Sequence, residues 1–294
     1  MPSPTRGVAG LVTGRVTDAS YAAGWAIVRA LPESSARRVF DAGADLAARR
    51  GGKGVNRLRS NLARVAPDAD LDSLTHEALR SYARYWREVF RLPVMSRQVI
   101  VDGMHAIHEE RARTAVASGR GVVFALPHSG NWDHAGAWFT ATGVPFTTVA
   151  ERLKPESLYD RFLEFRASLG MEVLPLTGGE RPPFEVLTER LQAGRTLCLM
   201  ADRDLTPRGV DVDFFGATAR MPAGPASLAL KTGAALMPVH LAFRPEGWQV
   251  TFSEEVPQTD VPTMTQVMAD RFAEGIRSHP ADWHMLQRLW LEDL

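Results

Sequence analysis

The apolar positions change their period partway along the chain. Up to about residue 93 they recur every three or four residues, the spacing of helices that bury one face. Tyr21, Trp25, Val28 and Leu31 form one such stripe over Asp18–Leu31. Val39, Phe40, Ala44 and Leu46–Ala47 form a second over Glu33–Arg50, with arginines at other positions. A third runs over Leu71–Leu92 through Leu74, Leu79, Tyr82, Trp86, Val89 and Phe90, and Pro93 ends it because a proline cannot continue the hydrogen-bond ladder.

From residue 105 the pattern alternates. A polar helix is expected over His105–Ser118, closed by Gly119. Apolar strands are expected at Val122–Leu126, Val144–Ala150, Met171–Leu176, Thr196–Met200, Ala235–Arg244 and Gln249–Glu255. Helical patterns separate or follow them at Glu156–Leu169, Phe184–Ala193, Ala223–Thr232 and Met264–Ser278, three of them stopped by a glycine. Strands that are apolar throughout belong to sheets covered on both faces. The chain is therefore expected to be α/β, a central, mostly parallel sheet flanked by helices, with a helical N-terminal region. No linker divides it, so residues 1–294 form one expected domain, 1–93 helical and 94–294 the α/β core.

Composition narrows the class. A hydrophobic fraction of 45% supplies ample core, and a charged fraction of 23% is ordinary for a globule. The lone Cys198 excludes a disulfide framework and fits a reducing compartment. No apolar run approaches the roughly 18 residues a membrane span requires. Gly7–Val12 is too short and glycine-broken for a secretory signal. The net charge of zero hides an asymmetry: residues 1–66 hold 11 Lys/Arg against four Asp/Glu. Such a region is attracted to an anionic surface, lipid or nucleic acid, or is simply a solvated helical face.

Two segments share a plan. Ser118–Asp133 and Ala193–Asp204 each run from a glycine-stopped helix into a buried strand, with polar residues at the strand's carboxyl end. Ligands of open α/β sheets bind beyond those ends, so His128, Asp133 and Asp202 are expected to converge on one crevice. Across a Ser-Gly-Asn turn, Asp133 can meet one imidazole nitrogen of His128 and leave the other as a general base. The same residues also suit a loop histidine ahead of a helix capped by Asn131 or Asp133. No Gly-x-Ser-x-Gly elbow, His-Glu-x-x-His pair, phosphate-binding loop or dinucleotide fingerprint is present, and no metal site is expected. Near Arg220, Pro222 and Gly224 open a helix whose N-terminus suits a phosphate or an oxyanion. Phe214 and Phe215 either line an acyl chain or join the core.

At these residues the chain resembles the lysophospholipid/lipid A-type acyltransferase superfamily, marked by His-x-x-x-x-Asp, and more closely the phosphatidylinositol mannoside acyltransferases. The matching tracts include Tyr82–Glu88, Leu126–Asp133, Ala150–Tyr159, Leu174–Leu187, Asp213–Gly216, Arg220–Ala226 and Ala281–Gln287. The resemblance implies transfer of a long acyl chain, typically palmitoyl, from acyl-CoA to the 6-hydroxyl of a mannose on a phosphatidylinositol mannoside. It implies His128 as base, Asp133 as its orienting partner, and Asp202 where the family usually has glutamate. It places Arg166 and Arg208 near the CoA phosphates, and Asn131, Glu151, Arg152, Phe215, Arg220, Pro222 and Gly224 at the substrate surface. Acyl-CoA is then a co-substrate, with no resident cofactor and no nucleic acid partner. The expected location is the cytoplasmic face of the plasma membrane, held peripherally by the basic region and by Tyr21 and Trp25. Lipid A-type transfer to another glycolipid and acyl-CoA hydrolysis are the alternatives.

Overall fold

The structure, a computed structural model, describes residues 24–151, 156–204, 206 and 208–293. The chain opens with helices α1 (24–30), α2 (Glu33–Arg50), α3 (Lys53–Val65), α4 (Leu71–Arg91) and the short α5 (Arg97–Asp102). Then follow β1 (Met104–Ile107), α6 (Glu109–Ala117), β2 (Val122–Leu126), α7 (Trp132–Ala141), β3 (Phe146–Ala150) and α8 (Glu156–Ser168). Next come β4 (Glu172–Pro175), α9 (Pro183–Gln192), β5 (Thr196–Met200), β6 (Val210–Phe214), β7 (Ala217–Met221) and α10 (Gly224–Thr232). Strands β8 (Ala235–Phe243) and β9 (Trp248–Phe252) precede the last long helix, α11 (Val261–Ser278).

Seven strands make one sheet in the order β1-β9-β8-β2-β5-β3-β4. Pairing is parallel everywhere except between β8 and β9. This is the expected fold class, and β2 and β5 fall on the expected residues. Strand β2 is buried along its whole length because helices cover both faces. Its Val123 and Ala125 join the core beneath α9, α10 and α11, while Val122, Phe124 and Leu126 face α7. The same alternation turns Leu197 and Leu199 of β5 one way and Cys198 and Met200 the other.

Three expectations are corrected. The helix expected from His105 begins only at Glu109, because Met104–Ile107 pairs with β9 as an edge strand. That strand is only four residues long, and its partner lies far along the chain. Strands β6 and β7 form a separate hairpin, closed through Phe215 at φ 55°, where the expectation named no strands. Trp25 does not face outward: it is 7% exposed, lies against Phe90, Phe162 and Phe165, and donates its indole N–H to Phe90 O at 2.9 Å. Tyr21 lies outside the described residues.

Candidate active site

The sheet register assembles the site. Leu126 pairs with Met200 across β2 and β5, and Ala201 N–H continues the ladder to Leu126 O at 2.8 Å. Two residues further on each strand stand His128 and Asp202. Asp202 Oδ1 lies 2.6 Å from His128 Nδ1, and Asp202 Oδ2 accepts the His128 backbone N–H at 2.9 Å. The Trp283 indole N–H donates to the same Oδ2 at 3.1 Å. Asp202 is fully buried, whereas the His128 side chain remains 39% exposed.

A carboxylate can only accept, so Nδ1 carries the proton and Nε2 keeps its lone pair. Burial by itself disfavours the imidazolium, but the charge and hydrogen bond of Asp202 outweigh it and raise the His128 pKa. Burial likewise pushes Asp202 upward, and the His128 charge with the bonds from His128 and Trp283 overcomes this, so its pKa is lowered. The result is a fixed tautomer with a strengthened base.

Asp133 does not take the place expected of it beside the imidazole ring. Asn131 caps α7, accepting the His134 N–H at 2.9 Å, so Asp133 already lies in the first helical turn and its carboxylate swings into the protein. There Oδ1 accepts from Arg166 Nε at 2.7 Å and Oδ2 from the Tyr85 hydroxyl at 3.0 Å. Burial disfavours a charged Arg166, but Asp133 more than offsets it and raises the pKa, so the guanidinium stays cationic. Arg166 is therefore engaged with Asp133 instead of standing free for a phosphate. Breaking a buried pair leaves an uncompensated charge, which costs about 3–5 kcal/mol. Asp133→Asn is accordingly expected to lower unfolding stability by about that much in urea titration. An unchanged urea midpoint would show that the ion pair contributes nothing.

The other expected residues divide. His128, Glu151, Pro222 and Gly224 line one groove of about 550 Å³, together with Arg203, Asp204, Phe184 and His284, which the sequence did not single out. Asn131 is buried, and its amide donates to Glu88 at 2.8 Å, so it is a helix cap with no face toward substrate. Arg220 is paired to Asp211 through Nε at 2.6 Å and Nη2 at 3.1 Å. The first-turn proline of α10 is Pro225, while Pro222 precedes the helix. Phe215 lines neither the groove nor the interior void; it sits on Phe214 and Trp283 with Arg277 over its face. Arg208 is exposed, and Arg152 lies outside the described residues.

A second void of about 90 Å³ lies inside the α7 face of the sheet. Phe124, Phe139, Phe146, Met171, Cys198 and Val239 make its wall apolar, with Asp133 and Arg166 also among its lining residues. Val149 and Met200 line both the void and the groove, and His128 lines the groove. Burial raises the Cys198 thiol far above its ordinary value, which removes it as a nucleophile. Among the described residues no group of three or more His, Cys, Asp or Glu side chains is arranged to hold a metal ion. No described helix is long and apolar enough to cross a membrane.

The backbone of the histidine loop is tied down. Gly130, at φ 55°, donates its N–H to Asp282 O at 2.9 Å, and a Cβ there would come within 2.8 Å of Leu241. Ser129 N–H donates to Pro127 O, and His284 N–H to His128 O at 2.8 Å. This loop is therefore a rigid mount for the imidazole.

The profile of the bacterial lipid A biosynthesis acyltransferases matches residues 7–292. A phosphatidylinositol mannoside acyltransferase of Mycolicibacterium smegmatis is 59% identical over 286 residues, covering 96% of this chain and 93% of that protein. A protein of the same name from Mycobacterium tuberculosis is 56% identical over 290 residues, covering 96% of this chain and 91% of its own length. The chain belongs to the bacterial lipid A biosynthesis acyltransferase family.

Proposed function

We propose that this acyltransferase moves a long acyl chain, palmitoyl by its likeness to the mannoside acyltransferases, from acyl-CoA to the 6-hydroxyl of a mannose on a phosphatidylinositol mannoside. The observation that carries the reading is the exposed face of His128, backed by a fully buried carboxylate, on a groove that shares Val149 and Met200 with the apolar void. The tail of the acyl chain enters the void while its thioester lies beside the imidazole. His128 Nε2 removes the hydroxyl proton as that oxygen attacks the thioester carbon. The C–O bond forms, the C–S bond breaks, and the imidazolium returns its proton to the departing CoA thiolate. Glu151 and Asp204 give the groove acceptors suited to sugar hydroxyls, and Arg203 gives it a cation suited to phosphate.

The acceptor is embedded in lipid while acyl-CoA is soluble, so the enzyme works at the cytoplasmic face of the membrane. With Trp25 internal, the contact is assigned to α2. Val39 is 60% and Leu46 40% exposed, seven residues apart and so on one face, with Arg38, Arg49 and Arg50 beside them. Each basic residue near an anionic leaflet contributes about 1 kcal/mol, and less in salt.

One experiment tests the whole reading. The pure protein is incubated with palmitoyl-CoA and vesicles carrying a panel of glycolipids, with and without anionic lipid, and the products are analysed by mass. Acylated mannoside formed fastest on anionic vesicles at low salt is the expected result. Free palmitate as the main product would make the protein a thioesterase. Acylation of a different glycolipid would reassign the acceptor.

The size of the void yields a further expectation. Gly136 of α7 lines the void in close contact with Met171 and Phe146, and a Cβ there would lie 2.6 Å from the Met171 methyl, pushing it into the void. Gly136→Val should therefore favour donors several carbons shorter than palmitoyl-CoA, since each lost buried methylene is worth about 0.8 kcal/mol. An unchanged ratio of rates across a C8–C16 donor series would show that the chain lies elsewhere.

A further inference from the structure

Trp283 reaches the Asp202 carboxylate from the C-terminal end of the chain. After α11 the chain makes a short 3-10 turn at Pro280–Asp282 and then runs beside the histidine loop. Ser129 and Trp283 form an antiparallel bridge, flanked by the bonds Gly130 N–H to Asp282 O and His284 N–H to His128 O. The strap is anchored on its other side: the Asp282 carboxylate accepts from Ser81 Oγ at 2.7 Å and from Phe243 N–H at 2.8 Å.

Trp283 is fully buried, and its ring is caged by Phe214, Phe215 and Trp290 at centroid distances of 6.1–6.3 Å. Phe215 holds a left-handed backbone at φ 55°, a conformation that favours glycine or asparagine, in order to stand there. A caged indole has one N–H and a fixed direction, and here it points at Asp202 Oδ2. Oδ2 also receives the His128 N–H, which leaves Oδ1 to the imidazole alone.

We propose that Trp283 is a positioning residue for acyl transfer: its indole N–H locks the Asp202 carboxylate in the rotamer that presents Oδ1 to His128. This rests on reading His128 as the general base. An aspartate side chain has two torsions, and the indole N–H and the His128 backbone N–H hold them together by converging on the same oxygen. The indole also draws charge from the carboxylate and so moderates how strongly it raises the His128 pKa. Among the described residues, the charged and titratable groups around the imidazole are Asp202, Arg203 and Asp204 at and beyond the end of β5, Glu151 across the groove, and His284 on the strap. Burial pushes His284 down to about 3, so it stays neutral over the working range.

The test compares wild type, Trp283→Phe, Asp202→Asn, the double variant and His128→Ala, with pH–rate profiles under saturating donor. Phenylalanine keeps the aromatic filling and removes only the donor. Circular dichroism and Tm show whether each variant is folded. Trp283→Phe is expected to lower kcat about tenfold with KM little changed, the loss typical of one hydrogen bond to a charged group. Its acidic limb is expected to move up by up to about half a pH unit, because a less solvated carboxylate draws the imidazole proton more strongly. Asp202→Asn should move that limb down. In the Asp202→Asn background, Trp283→Phe should have little further effect. If Trp283→Phe costs the same factor in both backgrounds and leaves the pH profile in place, the residue only fills space and the inference fails. A near-normal His128→Ala would instead overturn the underlying base assignment.

Discussion

Turnover is expected to fall by about 10²–10⁴-fold when His128 is replaced by alanine, the range of a lost general base. The variant should fold normally, because the side chain is 39% exposed and the loop is held by backbone bonds that alanine retains. For the wild type the base must be neutral, so activity should decline as pH falls through the raised pKa of His128. No reduction below about a tenth of wild-type turnover would end the assignment, whatever the binding data show. A steady-state assay of acyl transfer, with Tm measured alongside, decides it.

Asp202 gives the second large effect, and its variants separate charge from reach. Asp202→Asn keeps the volume but removes the charge that fixes the Nδ1 proton, so the other tautomer and a lower histidine pKa become accessible. Loss of a triad aspartate charge of this kind costs up to about 10⁴-fold in kcat. Asp202→Glu restores the charge and should recover most of the activity. Its extra methylene enters a site with no exposed surface, where overpacking costs about 1–3 kcal/mol of stability. Equal and near-normal kcat for both variants would show that the position is not catalytic. A pH profile of Asp202→Asn with its acidic limb moved downward would confirm the electrostatic half of the argument.

These two effects belong together because of an exchange of partners. His128 and Asp133 are five residues apart, and that closeness suggests a direct contact. Helix α7 prevents it: once Asn131 caps the helix, Asp133 is carried toward Tyr85 and Arg166. Asp133 then braces α7 against α4 and α8 beside the apolar void, while the carboxylate 74 residues further along the chain from His128 meets the imidazole. The two acids keep their importance and differ in task.

Composition and periodicity determined the fold class, because a fully apolar five-residue strand between helices can be buried only one way. They also located β2 and β5, and with them the carboxyl ends where His128 and Asp202 stand. Local pattern failed at β1, a four-residue edge strand whose pairing partner β9 lies about 140 residues away, and at the separate hairpin β6–β7. It also turned Trp25 toward the membrane, since a stripe of apolar residues looks alike whether it faces lipid or Phe90 and Phe162. The resemblance carried the residue types of the site but not their pairing. Which acid meets His128 was decided by the parallel register of β2 on β5, and the contribution of Trp283 by the return of the C-terminal strap. Both are contacts between residues 74 or more positions apart, and side-chain chemistry along the sequence has no means of expressing a distance that only chain packing creates.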